Sequence, residues 1–132
     1  MKLYRKGSST SRPPESTFVG TVGIGGYFRR AAPSRLAGAS VTFHPGARTP
    51  WKVNPLGQTI VVTDGTGWVQ AEGEDIAEVH AGDFIWFAPG QRHWEGATPH
   101  EEMTCVAVQE EDGRSVEFWE TVSDDEYGRG PA

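Results

Sequence analysis

The sequence predicts an all-β barrel or sandwich, and three observations carry that reading. Apolar and polar residues alternate with a period of two, most clearly where Ala39, Val41 and Phe43 interleave with Ser40, Thr42 and His44. Seventeen glycines and nine prolines in 132 residues make a heavy turn load. Between the turns, segments rich in β-branched and aromatic residues recur about every 8–12 residues, the spacing of closed or double-sheet β folds. No internal repeat and no long helical pattern competes.

The elements follow in order. Residues 7–17 (GSSTSRPPEST) lack an apolar period and read as an arm or linker. Phe18 to Val22 is the first expected strand, Gly23 to Gly26 a glycine-rich turn, and Tyr27-Phe28 the start of a second strand. The strand beginning at Ala39 ends at Pro45-Gly46, because proline gives no ladder hydrogen bond and glycine accepts a tight turn. Gln58 to Thr63 is β-branched and expected to be buried. Asp64-Gly65-Thr66-Gly67 reads as a hairpin turn returning through Trp68 to Ala71. Ile76 to Val79, the aromatic run Phe84 to Phe87, Met103 to Gln109 and Ser115 to Trp119 are further strands. Val122 to Tyr127 reads as a short C-terminal helix, with Ser123 as its cap before Asp124, Asp125 and Glu126. The expected organisation is an arm over 1–17, one barrel over 18–127 and a tail over 128–132.

Composition narrows the function. A formal net charge of -6 argues against nucleic acid and against anionic membrane surfaces. Cys105 is the single cysteine, so no internal disulfide points to an oxidising compartment. The polar stretch Met1 to Thr17 lacks a signal-peptide core, and nothing approaches the ~20 apolar residues of a membrane span. A cytoplasmic protein is expected, and the charge balance says nothing about a small ligand.

Two segments carry the chemistry. In the first, Gly46 is followed by Lys52, Asn54, Gln58 and Gly65; in the second, Gly82 is followed by Pro89, Gly90 and His93. Lys52 and Asn54 are two apart and share a face if the segment is extended. Gln58, Ile60 and Val62 share a face of the next strand, and His93 arrives on a return strand after a Pro-Gly turn. All can point into one lumen. These spacings resemble the two cupin motifs, and the words AGASVTF, PLGQT, GWVQ, HWEGATP and VSDDEY are similar to a bacterial group of small manganese cupins. That group includes hydroxynitrile lyases and carboxymuconolactone-decarboxylase-like proteins. The resemblance covers about Phe18 to Tyr127 and implies a cupin jelly-roll β-barrel, with a homodimer as the expected assembly.

The resemblance also implies a metal site, and this chain departs from it. The family's first two histidine ligands fall on Lys52 and Asn54, while its glutamine and last histidine remain as Gln58 and His93. A pocket histidine with acid–base duties falls on Cys105, and a histidine after the last ligand falls on Glu95. An ammonium beside a divalent ion is repulsive and offers no lone pair, and an amide oxygen is a weak substitute for imidazole. The family metal, manganese or similar, is therefore expected to be absent or weakly bound.

Lys52 and His93 are the expected catalytic acid–base pair. Asn54, Gln58, Trp94, Cys105, Gln109 and Phe43 are expected to bind substrate, Trp94 as an aromatic pocket wall and Asn54 and Gln58 as oxygen-holding donors. Lys52 offers a further possibility, an imine with a carbonyl substrate. Against these stand plainer readings: Lys52 snorkelling to the mouth, Cys105 as a small buried hydrophobe, and His93 held for packing. Glu95 could pair with Lys52 or Arg92, or sit on the rim. The function expected is metal-independent lyase, isomerase or cyclase chemistry by proton transfer. The alternatives are a metal-dependent cupin lyase with a substitute ligand such as His44, and a non-catalytic small-molecule binder.

Overall fold

The computed structural model describes residues 1–5 and 14–132. Among them, in chain order, run β1 (Val22–Arg29), β2 (Leu36–Phe43), β3 (Lys52–Val53), β4 (Gln58–Ala71), β5 (Ala77–His80), β6 (Phe84–Phe87), β7 (His93–Ala97), β8 (Met103–Glu110), β9 (Glu117–Phe118) and the helix α1 (Asp124–Gly128). Every strand pairing is antiparallel. The sheet curls through β1-β2-β8-β4-β7-β3-β9, with β5 and β6 added beside β4. Part of the expected arm, residues 6–13, lies outside the described residues.

β4 organises the barrel. Its first half pairs with β6 and β8, and its second half with β5 and β7. The hairpin expected at Asp64-Gly65-Thr66-Gly67 is therefore corrected: those residues continue one 14-residue strand. The glycines mark a bend and a close approach instead of a reversal. The register with β8 shifts between Val62 and Asp64, and Gly65 has φ +76°. A Cβ on Gly65 would lie 1.9 Å from the Glu102 carbonyl oxygen, and one on Gly67 would lie 2.0 Å from the Met103 sulfur.

The glycine-rich segment Gly23 to Gly26 is corrected in the same way. It lies inside β1, with Gly23 opposite Thr42, Gly25 opposite Ser40, and an irregularity between Gly25 and Phe28. Of the first strand expected over Phe18 to Val22, Val19 makes only an isolated bridge to Arg48, and the regular ladder starts at Val22.

Two apolar clusters hold these strands. Phe43, Ile60, Val62, Met103 and Cys105 pack between the facing sheets. Complete burial of each large member stabilises the fold by roughly 1.5–3 kcal/mol. The second cluster, Trp51, Ile76, Trp94, Val122 and Tyr127, lies around α1. There Ser123 caps the helix by accepting from the Glu126 N–H, and the Glu126 carboxylate accepts from the Ser123 N–H. Arg48 ties this region to the barrel by donating to the Val122 carbonyl at 2.7 Å and pairing with Asp124 at 2.9 Å.

Candidate active site

A cavity of about 520 Å3 opens inside the barrel. Lys52, Gln58, Glu95 and Phe43 line its buried part, with Gln109 beside them. Tyr27, Arg29 and Phe118 line its exposed end. Arg29 is paired there with Glu111 at 2.8 Å.

Register brings the inner groups together. In β3, Lys52 sits opposite His93 of β7 on one side and Phe118 of β9 on the other, so its backbone is fixed from both edges. Alternation along β7 turns His93, Glu95 and Ala97 to one face and Trp94 and Gly96 to the other. The result is a buried ion pair: Lys52 Nζ lies 2.5 Å from Glu95 Oε1, with the two residues only 4% and 1% exposed. Glu95 Oε2 has no partner among the described residues. Of the three placements open to Glu95, this is the pairing with Lys52. Arg92 instead holds Glu72 and Glu120 and stacks over Trp51.

His93 differs from its expected role. Its ring is stacked on Phe87, with centroids 3.9 Å apart, and it does not line the cavity. Burial, followed by the charge of Lys52, lowers its pKa to about 3, against an opposing hydrogen bond to Gln91. The ring is thus neutral near pH 7 and a poor base there. Nδ1 lies 2.8 Å from the Gln91 carbonyl oxygen, which can only accept. Nε2 lies 3.2 Å from Gln58 Oε1, and Gln58 donates through Nε2 to Gln109 Oε1 at 3.1 Å. His93, expected as one half of an acid–base pair with Lys52, stands behind Gln58 and off the cavity wall.

The remaining expected residues divide. Phe43, Gln58 and Gln109 line the cavity. Trp94 does not: it faces outward in the α1 cluster and donates to the Gln70 side chain at 2.8 Å. Asn54 is 1% exposed and stands off the cavity wall, with both side-chain heteroatoms unpartnered among the described residues. Cys105 is fully buried in the first cluster and does not line the cavity. Burial, reinforced by Glu95 and opposed by Lys52, raises its thiol pKa far above the ordinary range, so it is a packed apolar group and a poor nucleophile. His44 is exposed and near Glu102, 3.8 Å away, outside the lumen and unable to substitute for a lost ligand.

The donor set does not suit a divalent ion. A cation, Lys52, stands among the inner groups, and the one nearby carboxylate is engaged with it. Among the described residues no three His, Cys, Asp or Glu side chains converge as a metal site. What the arrangement offers is a buried ammonium–carboxylate pair beside a partly apolar cavity.

Comparison with known proteins agrees with this architecture. The family model described as a cupin domain matches residues 39–109. An (R)-mandelonitrile lyase of Granulicella tundricola is 50% identical over 131 residues, covering 98% of this chain and 100% of that protein. Among solved structures, a cupin-like protein from Thermotoga maritima superposes with a TM-score of 0.83 at 28% identity, over 99% of this chain and 98% of its own. The polyketide cyclase RemF from Streptomyces resistomycificus gives 0.74 at 17%, over 96% and 90%. With the matched motifs lying on the strands that build the lumen, the chain belongs to the cupin family.

Proposed function

We propose that the protein is a metal-independent lyase that acts on a small neutral molecule by proton transfer between substrate, Glu95 and Lys52. The observation that carries this reading is the buried Lys52–Glu95 pair on the cavity wall. Burying an ion pair is costly unless its geometry is favourable, and an unsatisfied carboxylate oxygen adds to that cost. Such a group is a candidate functional site, because a substrate that supplies the missing hydrogen bond gains what the folded protein lacks.

The relationship to a mandelonitrile lyase supports a cyanohydrin as the first substrate to test. Glu95 Oε2 takes the hydroxyl proton as the oxygen–carbon double bond forms and the carbon–carbon bond breaks. The departing cyanide takes a proton from the Lys52 ammonium. Proton return from Glu95 to Lys52 across their 2.5 Å contact resets the pair. Gln58, whose Nε2 donates one N–H to Gln109, keeps its second amide N–H for the substrate oxygen.

The test is benzaldehyde release from racemic mandelonitrile by untagged protein whose metal content is measured by elemental mass spectrometry. Substoichiometric metal, a rate unchanged by chelator, and at least ~10²-fold lower kcat in Lys52→Met and Glu95→Gln are the expected results. Activity that appears only with added manganese would overturn the metal-independent reading. Saturable cyanohydrin binding without turnover would make the protein a binder.

A further inference from the structure

We propose that Lys52 is also an amine nucleophile, which takes small aromatic aldehydes into a covalent imine within the cavity while Glu95 carries the protons. The inference rests on the reading above only in taking Lys52 and Glu95 as the reacting pair; it adds a bond-forming activity and a substrate class.

Four observations carry it. Lys52 lines the cavity from a backbone fixed on both edges. Its Nζ is 2.5 Å from a carboxylate oxygen that can take its proton, and an amine must lose that proton to attack a carbonyl. The second oxygen of that carboxylate has no protein partner among the described residues, so Glu95 has capacity for a second proton position. The aromatic residues on the cavity wall, Phe18, Tyr27, Phe43 and Phe118, suit an aromatic ring. The charges argue against an anionic substrate, because Arg29 is paired with Glu111 and Lys52 with Glu95.

The step balances within the pair. Lys52 gives a proton to Glu95, and the amine nitrogen attacks the carbonyl carbon. The carbonyl π electrons move to oxygen, which takes the proton from Glu95 and gives a carbinolamine. Glu95 then removes a proton from nitrogen and delivers it to the hydroxyl. The carbon–oxygen bond breaks, water leaves, and the nitrogen lone pair completes the carbon–nitrogen double bond. The product is a protonated imine facing the Glu95 carboxylate, so one ion pair replaces another.

The experiment is reductive trapping. The full chain is incubated with benzaldehyde and cyanoborohydride, and adducts are located by peptide mass spectrometry. The chain has three lysines, Lys2, Lys6 and Lys52, so the background is confined to the first two and the α-amino group. Saturable benzylation of Lys52 in excess over Lys2 and Lys6 is expected, slowed at least ~10-fold in Glu95→Gln and less in Glu95→Asp. Adducts confined to Lys2, Lys6 and the α-amino group, or spread equally over all sites, would overturn the proposal. So would a trapping rate indifferent to Glu95→Gln. Mandelonitrile cleavage by the same preparations separates the two ideas. Cleavage without trapping leaves only the proton-transfer reading, and trapping without cleavage leaves only the nucleophile.

Discussion

The two faces of β7 make an instructive pair. On the outer face Trp94 is buried against α1, and its indole N–H is satisfied by Gln70. Tyr127 donates to the Ala97 carbonyl at 2.6 Å, and Arg48 is held by the Val122 carbonyl, the Gly46 carbonyl and Asp124. On that side Trp68 Nε1, packed against the cluster, and Arg92 Nε, stacked over Trp51, are left unpartnered. On the inner face, Glu95 keeps one oxygen unpartnered beside the cavity. Both faces are buried; the outer one binds most of its polar groups into the fold, and the inner one leaves a carboxylate oxygen open beside the cavity. Local departures from full satisfaction mark the face where a ligand would complete the bonding.

Mutations can separate the two faces. The largest effect on stability is expected from Lys52→Met, which strands the Glu95 charge and costs about 3–5 kcal/mol in chemical denaturation. Adding Glu95→Met should restore most of that stability while catalysis stays lost. If the double variant is no more stable than Lys52→Met, the inner pair is structural in a way this comparison denies.

Acid comes next. The unfolded His93 takes a proton below its ordinary value of 6.5, and the folded one only near 3. Between those values the unfolded chain binds more protons, so stability falls as pH falls through that window, by about 1.4 kcal/mol per pH unit. Urea midpoints measured from pH 6 to pH 4 should show this slope in the parent and a shallower one in His93→Gln. Equal slopes would mean that the imidazole is not held neutral. The smallest effect belongs to the outer face: Tyr127→Phe removes one hydrogen bond and should cost about 1 kcal/mol in thermal or urea unfolding, with turnover per folded molecule unchanged. A drop in turnover there would blur the division between the faces.

Much of the strand pattern was readable because alternation survives wherever one face of a strand is buried. Phe84–Phe87 has the same bounds in sequence and structure, and the Ser123 cap signals α1 directly. The glycines misled. Gly65 and Gly67 carry the same local signal whether a chain reverses or merely passes close to a neighbour, and only the Glu102 and Met103 atoms beside them decide which. Lys52, Gln58 and the position of His93 were visible from motif spacing. Trp94, expected on the pocket wall, lies in the cluster around α1, as alternation from an inward His93 requires. That same alternation puts Glu95 on the His93 face. Its choice between Lys52 and Arg92 needed the cross-strand register of Lys52 with His93, which no single sequence displays. The low basicity of His93 follows from burial and from the Lys52 charge, and spacing carries neither.

The bend in β4 has a mechanical consequence. Two sheets joined only by loops can slide or hinge apart to admit a guest. Here a single continuous strand belongs to both, pinned by β6 and β8 at one end and by β5 and β7 at the other. Separating the walls would tear ladders on both sides of Gly65 at once. Traffic into and out of the lumen therefore falls to the exposed rim around Tyr27, Arg29 and Phe118. A change in the size of guest accepted can be made at that rim without loosening the walls that hold Lys52 and Glu95.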